Sequence, residues 1–172
     1  LTLKELRTNL EAYNGIKVAF NGVISANSGT QGVYIEDYDP ETDRYYGVYI
    51  YYGHGLTGAG LDVLSVGNEA RIVGTVQYYE GGGTWQVSDL TYRLMKPDDP
   101  GNVQKLSEGN SAAYVLTDPD AFVNGTVTVE TEEGTLTEPA AKFALGTSVV
   151  MRELPVTEIY TTTNEDSSSK GA

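Results

Sequence analysis

From Lys17 onward the chain alternates apolar and polar residues with a period of two, and this constrains the fold more than any other feature. The pattern runs through "IKVAFNGVISA" (16–26), "QGVYIEDYD" (31–39), "RYYGVYIYYG" (44–53), "NEARIVGTVQYYE" (68–80) and "TWQVSDLTYRLM" (84–95). Successive side chains of a strand point to opposite faces, so each run predicts a strand with one face in a core. Turn-rich segments separate them: "DYDPETD", the glycine-rich crossover "GHGLTGAGLDVLSVG" and a tight "GGG". Gly22 falls where the first strand should coil or bulge.

Before the strands, "LTLKELRTNLEAYNG" changes the period. Thr2 and Glu5 have capping-box spacing, Leu3, Leu6, Leu10 and Tyr13 recur at helical intervals, and Gly15 supplies a stop. A short amphipathic helix over 3–13 is expected. Residues 1–95 thus hold one helix and five strands, residues 96–110 ("KPDDPGNVQKLSEGN") read as a linker, and residues 111–172 read as a smaller β-rich second unit. In that unit "NGTVTVE" predicts a strand, "TEPAAKFALG" a short helix with Pro139 near its start, and "SVVMRELPVTEIYTTT" a strand pair or one bent strand. The terminal "NEDSSSKGA" reads as a hairpin loop without a returning strand, as in a piece cut from a longer parent chain. The expected fold class is all-β.

Composition narrows the function classes. The chain has 172 residues, 40% of them hydrophobic, which suffices for a packed core. Its net charge is −13, with six basic against eleven acidic residues in 1–95 and five against thirteen in 96–172. Neither part hides a basic groove, which weighs against phosphate backbones and anionic membranes as partners. With no cysteine there can be no disulfide framework, thiolate metal site or cysteine nucleophile. No apolar run reaches the roughly 18 residues of a membrane helix, so membrane insertion is not expected.

The stretches "KVAFNGVIS", "GVYIEDYD", "YYGVYIYY" and "LSVGNEARIVGTVQYYEGGGTWQVSDL" together carry a resemblance. With Gly22 after the first strand, Glu36-Asp37 ending the second, and Gly67 and Gly74 around the fourth, residues 1–95 resemble the OB-fold, in particular the OB-like domains of secreted bacterial nucleases and surface proteins. The resemblance implies a five-stranded OB-like barrel and an extracellular or cell-surface location. It also implies a ligand face on the outside of the second and third strands, flanked by the loop between the fourth and fifth. This chain departs from the pattern in two ways: the usual helix between the third and fourth strands is reduced to "LDVLS", and few Lys or Arg residues stand beside the aromatics. The tail from Ser148 is similar to the opening of a second such unit, truncated.

Alternation then selects candidate residues. Placing Val33, Ile35, Val48 and Ile50 in the core sends Tyr34, Glu36, Tyr38, Tyr45, Tyr49 and Tyr51 outward. Tyr79 and Trp85, the only tryptophan, join them from the "YYEGGGTWQ" hairpin. The candidate ligand-binding set is therefore Tyr34, Tyr38, Tyr45, Tyr49, Tyr51, Tyr79 and Trp85. Three readings stand side by side: a stacking platform, a face covered by the chain's own C-terminal part, and rings present only as cross-strand pairs. A platform in an acidic surface suits neutral polysaccharide or oligosaccharide better than single-stranded nucleic acid, whose phosphates call for cations.

Asp37, Asp39, Glu41 and Asp43 alternate in the "DYDPETD" turn, which is where calcium would go. The glycine and terminal glutamate of an EF-hand are missing, so a solvated acidic turn is expected, and no cofactor. Asp118 and Asp120 form a weaker set of the same kind. His54 is the only histidine and has no partner in sequence; no nucleophile elbow, zinc motif or phosphate loop occurs. The sequence thus predicts a non-catalytic binding module of a larger exported bacterial protein, with a single-stranded nucleic-acid-binding domain or a structural, protein-interaction spacer as alternatives.

Overall fold

The computed structural model describes residues 1–29, 31–131 and 134–157. In chain order these carry α1 (Leu3–Thr8), β1 (Lys17–Asn27), β2 (Gly32–Asp39), β3 (Arg44–Tyr51), α2 (Ala59–Asp62), β4 (Glu69–Tyr79), β5 (Thr84–Ser88) and β6 (Gln104–Ser107). They continue with β7 (Val115–Leu116), α3 (Pro119–Asn124), β8 (Thr126–Thr131), β9 (Gly134–Pro139), α4 (Ala140–Phe143) and β10 (Val149–Val150).

The first five strands form a closed barrel in the order β1-β2-β3-β5-β4, with β4 returning to β1 and β6 added to the outer edge of β4. All its pairings are antiparallel except β3 with β5. β1 serves two ladders. Its first half pairs with β4 (Lys17↔Thr75 to Val23↔Glu69) and its second half with β2 (Val23↔Glu36 to Asn27↔Val33). This is an OB-like barrel, and alternation places the interior as expected: Val33, Ile35, Val48 and Ile50 are all buried, together with Phe20, Ile24, Ile72, Val76 and Val87. Burial of each such side chain contributes about 1.5–3 kcal/mol.

The helix is shorter than its periodicity predicts. The Thr2–Glu5 capping box forms, but α1 stops at Thr8 with Asn9 as its cap, and residues 9–15 continue as turns. The Asn9 amide donates to the Glu5 carbonyl at 2.9 Å, a local competitor that ends the helix early. Leu3 and Leu6 still reach the core, so the packing face is right even though its length is not. The irregularity in β1 falls between Ile24 and Ala26, not at Gly22.

The segment read as a linker holds β6, and it also contributes Val103 to the interior and the buried Asn102, which ties the turns at Arg93 and Lys96 together. Beyond it, the predicted strand is β8, paired with β9, a strand beyond those expected from the pattern. The expected helix is α4, with Pro139 as its N-cap. α3 was also not anticipated, although Asp118 as N-cap followed by Pro119 is a helix-start signal. β10 pairs in parallel with β7 and is only two residues long, so the strand pair expected after Ser148 is not formed over residues 151–157; its remainder from 158 onward, and the terminal loop, lie outside the described residues. No helix among the described residues is long and apolar enough to cross a membrane.

Candidate functional site

The outer face of the β2–β3 ladder is built from successive rungs: Gly32↔Tyr51, Tyr34↔Tyr49, Glu36↔Gly47 and Tyr38↔Tyr45. Period two puts all of these on one side. Tyr34 and Tyr49 pack with ring centroids 5.4 Å apart, and Tyr38 and Tyr45 at 5.1 Å, both tilted near 50°. The Tyr49 ring lies across Gly32, leaving no room there for a Cβ.

Glu36 is where expectation and structure part. It points away from the barrel interior as predicted, yet is only 2% exposed. The C-terminal part of the chain crosses the face at this rung. One Glu36 carboxylate oxygen accepts the Ala113 N–H at 2.9 Å and the other accepts the Ser148 N–H at 3.0 Å. Beside it, a Cβ on Gly47 would stand 2.1 Å from the Gly146 carbonyl oxygen, so the two backbones are in direct contact. Burial pushes the Glu36 carboxyl above the ordinary glutamate range, and the N–H bonds from Ser148 and Ala113 only partly oppose it.

The crossing divides the tyrosine row. On one side lies a cleft of about 870 Å³ between the barrel and residues 136–146. Its barrel wall carries Tyr34, Tyr49, Tyr51, Tyr79 and Trp85, five of the seven predicted residues. Tyr38 and Tyr45 lie beyond the crossing and do not line it. Trp85 packs against its cross-strand neighbour Tyr78, centroids 5.2 Å apart, and is partly buried against the barrel core as well as lining the cleft. Gln31 and Gln86 add carboxamides to the same wall. Gln31 is oriented by the Tyr51 hydroxyl, which donates to it at 3.3 Å, and by a contact of 2.9 Å to the His54 ring.

The opposite wall was not legible in the sequence. Leu136, Glu138, Lys142, Leu145 and Gly146 form it. Arg7 of α1 holds it in place: its guanidinium donates to Glu138 at 2.8 Å and to the Lys142 carbonyl at 2.9 Å, and stacks 5.2 Å from the centre of the Phe143 ring. Phe143 in turn packs edge-on against Tyr46. Burial works against ionised Glu138, but the Arg7 bond and charge, with Lys142 at 3.1 Å, outweigh it and hold this carboxyl below the usual range.

The acidic turn is internally engaged. Asp39 accepts from the Thr42 N–H and hydroxyl and pairs with Lys4 at 3.2 Å, Glu41 also reaches Lys4, and Asp43 accepts the Tyr38 hydroxyl. Asp37 points elsewhere, exposed at the strand end. Asp118 caps α3 through the Ala121 N–H, and Asp120 accepts from Asn124. Among the described residues no group of three or more His, Cys, Asp or Glu is placed to hold a metal ion.

No protein-family model matches the chain, and no curated protein is significantly similar to it. Among solved structures it is similar to that of OBody AM1L10 bound to hen egg-white lysozyme, at 16% identity, covering 60% of this chain and 90% of that one, with a TM-score of 0.39. At that score the likeness says nothing of what the cleft takes.

Proposed function

We propose that the chain is a non-catalytic binding module of a larger exported bacterial protein and that its cleft takes an extended, neutral glycan. The observation that carries this reading is the gathering of Tyr34, Tyr49, Tyr51, Tyr79 and Trp85 in the lining of a single cleft. Aromatic faces stack on flat ring surfaces, and the carboxamides of Gln31 and Gln86 offer both donors and acceptors to hydroxyl groups. The charge of the cleft supports a neutral ligand over a phosphodiester. Its two cations, Arg7 and Lys142, both engage Glu138, and the chain as a whole is at −13. The extracellular or cell-surface setting rests on the resemblance to OB-like domains of secreted proteins.

A glycan and oligonucleotide array read at low and moderate salt tests this. Glycan binding insensitive to salt is expected, because an uncharged chain releases no counterions. Binding of single-stranded nucleic acid that weakens steeply with salt would replace this reading with that of the nucleic-acid-binding OB domain. One observation favours the spacer reading instead: the C-terminal part already covers the tyrosine face at Glu36 and Gly47. Failure to bind either class, with Tyr49→Ala lowering the melting temperature, would establish that alternative.

A further inference from the structure

The cleft has two walls, and they belong to parts of the chain far apart in sequence. The barrel wall is built from β2, β3 and the β4–β5 hairpin, and Arg7–Ala12, from the end of α1 and the turn after it, complete the lining. The other wall, residues 136–146, is set against it by a small number of defined contacts: the Arg7 contacts, the Phe143–Tyr46 edge contact, the two N–H bonds to Glu36, and the backbone touch of Gly47 with Gly146. Two hydrophobic side chains of β8 and α4, Val129 and Phe143, are buried, whereas large apolar side chains of the same part, among them Leu116, Val123 and Leu145, stay more than half exposed. A part so thinly cored draws its order from the surface it rests on.

Resting on the glycan reading above, we infer that residues 136–146 are a second, separable half of the ligand site, held over the tyrosine wall by Glu36 and Arg7 as positioning residues. The wall supplies Leu136 and Leu145 as an apolar face opposite the rings, so a ligand in the cleft is gripped from both sides. Occupancy and docking then stabilise each other, because a ligand that touches both walls binds only the docked form.

Gly47→Ala is the wedge that tests this. Its φ is outside the left-handed region and its Cβ would leave the barrel interior untouched, but it would meet the Gly146 backbone at 2.1 Å. Glu36→Gln is the second variant: one of the two acceptor oxygens becomes an NH2 donor, so either the Ala113 or the Ser148 N–H loses its acceptor while the side chain keeps its shape. Trp85, the sole tryptophan, reports on the cleft by acrylamide quenching, and amide hydrogen exchange at Ala113 and Ser148 reports on the latch. In both variants exchange at these two amides should rise at least tenfold and Trp85 should become more quenchable, while Ile35 and Val48 stay protected, showing an intact barrel. Unchanged quenching and exchange in both variants would overturn the inference.

The second arm titrates the intact 172-residue chain with cellohexaose, xylohexaose and maltohexaose. A sugar that binds the wild type should slow exchange at Ala113 and Ser148 and bind Gly47→Ala at least tenfold more weakly. Equal affinity for both proteins would overturn the inference while leaving the glycan reading intact. Should no sugar bind the wild type while the wedge still opens the latch, the glycan reading falls, and the separable wall over Trp85 stands on the exchange data.

Discussion

Two rungs of the β2–β3 ladder are chemically alike and differently placed. Tyr34–Tyr49 and Tyr38–Tyr45 are both cross-strand tyrosine pairs on the same outer face, with nearly the same spacing and tilt. Only the first lines the cleft. Between them stands Glu36↔Gly47, where the chain returns from more than a hundred residues away and splits the row. An aromatic row is therefore not a site in itself; what lies across from it decides.

The most severe way to erase the difference is Arg7→Ala. It leaves Glu138, with a side chain only 12% exposed, without its closest cation and frees the α4 carbonyls. Breaking a buried ion pair by removing one partner costs about 3–5 kcal/mol, and the lower end is expected because Lys142 remains. Urea unfolding should record a loss of about 3 kcal/mol, and Tyr34–Tyr49 should become as accessible as Tyr38–Tyr45. A loss under about 1 kcal/mol would mean the wall is held by something else.

Next in size is a pair of truncations that sharpens the contrast. Tyr49→Ala should weaken binding of a glycan found by the array by about 1–2 kcal/mol, at the lower end of ring-stacking values. Tyr45→Ala, on the rung outside the cleft, should leave affinity unchanged by the same isothermal titration. Equal losses would show that the ligand runs along the whole row.

Acidity acts on the rung in between. The folded-state value of Glu36 is raised, so the native protein holds this proton more tightly than the unfolded chain, whose value is near 4.5. Its contribution is full below that value and is lost as pH rises through the folded value. Glu138 is lowered and acts oppositely, contributing above about 4.5 and losing that contribution as pH falls through its folded value. Melting temperature followed from pH 7 down towards 4.5 should therefore gain from Glu36, and Glu36→Gln should flatten that gain. A gain of the same size in the variant would assign the effect to other carboxylates.

The smallest effect belongs to the open rung. Tyr38→Phe removes one exposed hydroxyl bond to Asp43 and should cost about 0.5 kcal/mol or less, by thermal melting. A larger cost would make the acidic turn, and not the ring pair, the anchor of that end.

How much of this was readable follows from where each residue finds its partners. The barrel was legible because its strands are buried on one face, so alternation reports the interior directly at Val33, Ile35, Val48 and Ile50. Tyr34, Tyr49 and Tyr51 followed from the same period, whereas Tyr79 and Trp85, on opposite faces of the β4–β5 ladder by register, followed from the hairpin's position beside that face. The periodicity overextends α1, because Leu10 and Tyr13 keep the helical spacing while Asn9 ends the helix. Arg7, Glu138 and the burial of Glu36 left no trace, since their partners lie 131, 77 and 112 residues away and no local spacing encodes such meetings.

One feature of the barrel bears on how the molecule comes together in time. β3 and β5 meet in parallel through only two registered pairs, Tyr49↔Gln86 and Ile50↔Val87, whereas β1 and β4 share seven. Short parallel ladders are the weaker kind, so this is the seam at which a closed barrel is expected to open first. Tyr49 and Gln86 also belong to the cleft. A molecule lying over both would act as a clasp on the barrel's own closure, and its departure would be felt first as breathing of β5, before any loss of the fold.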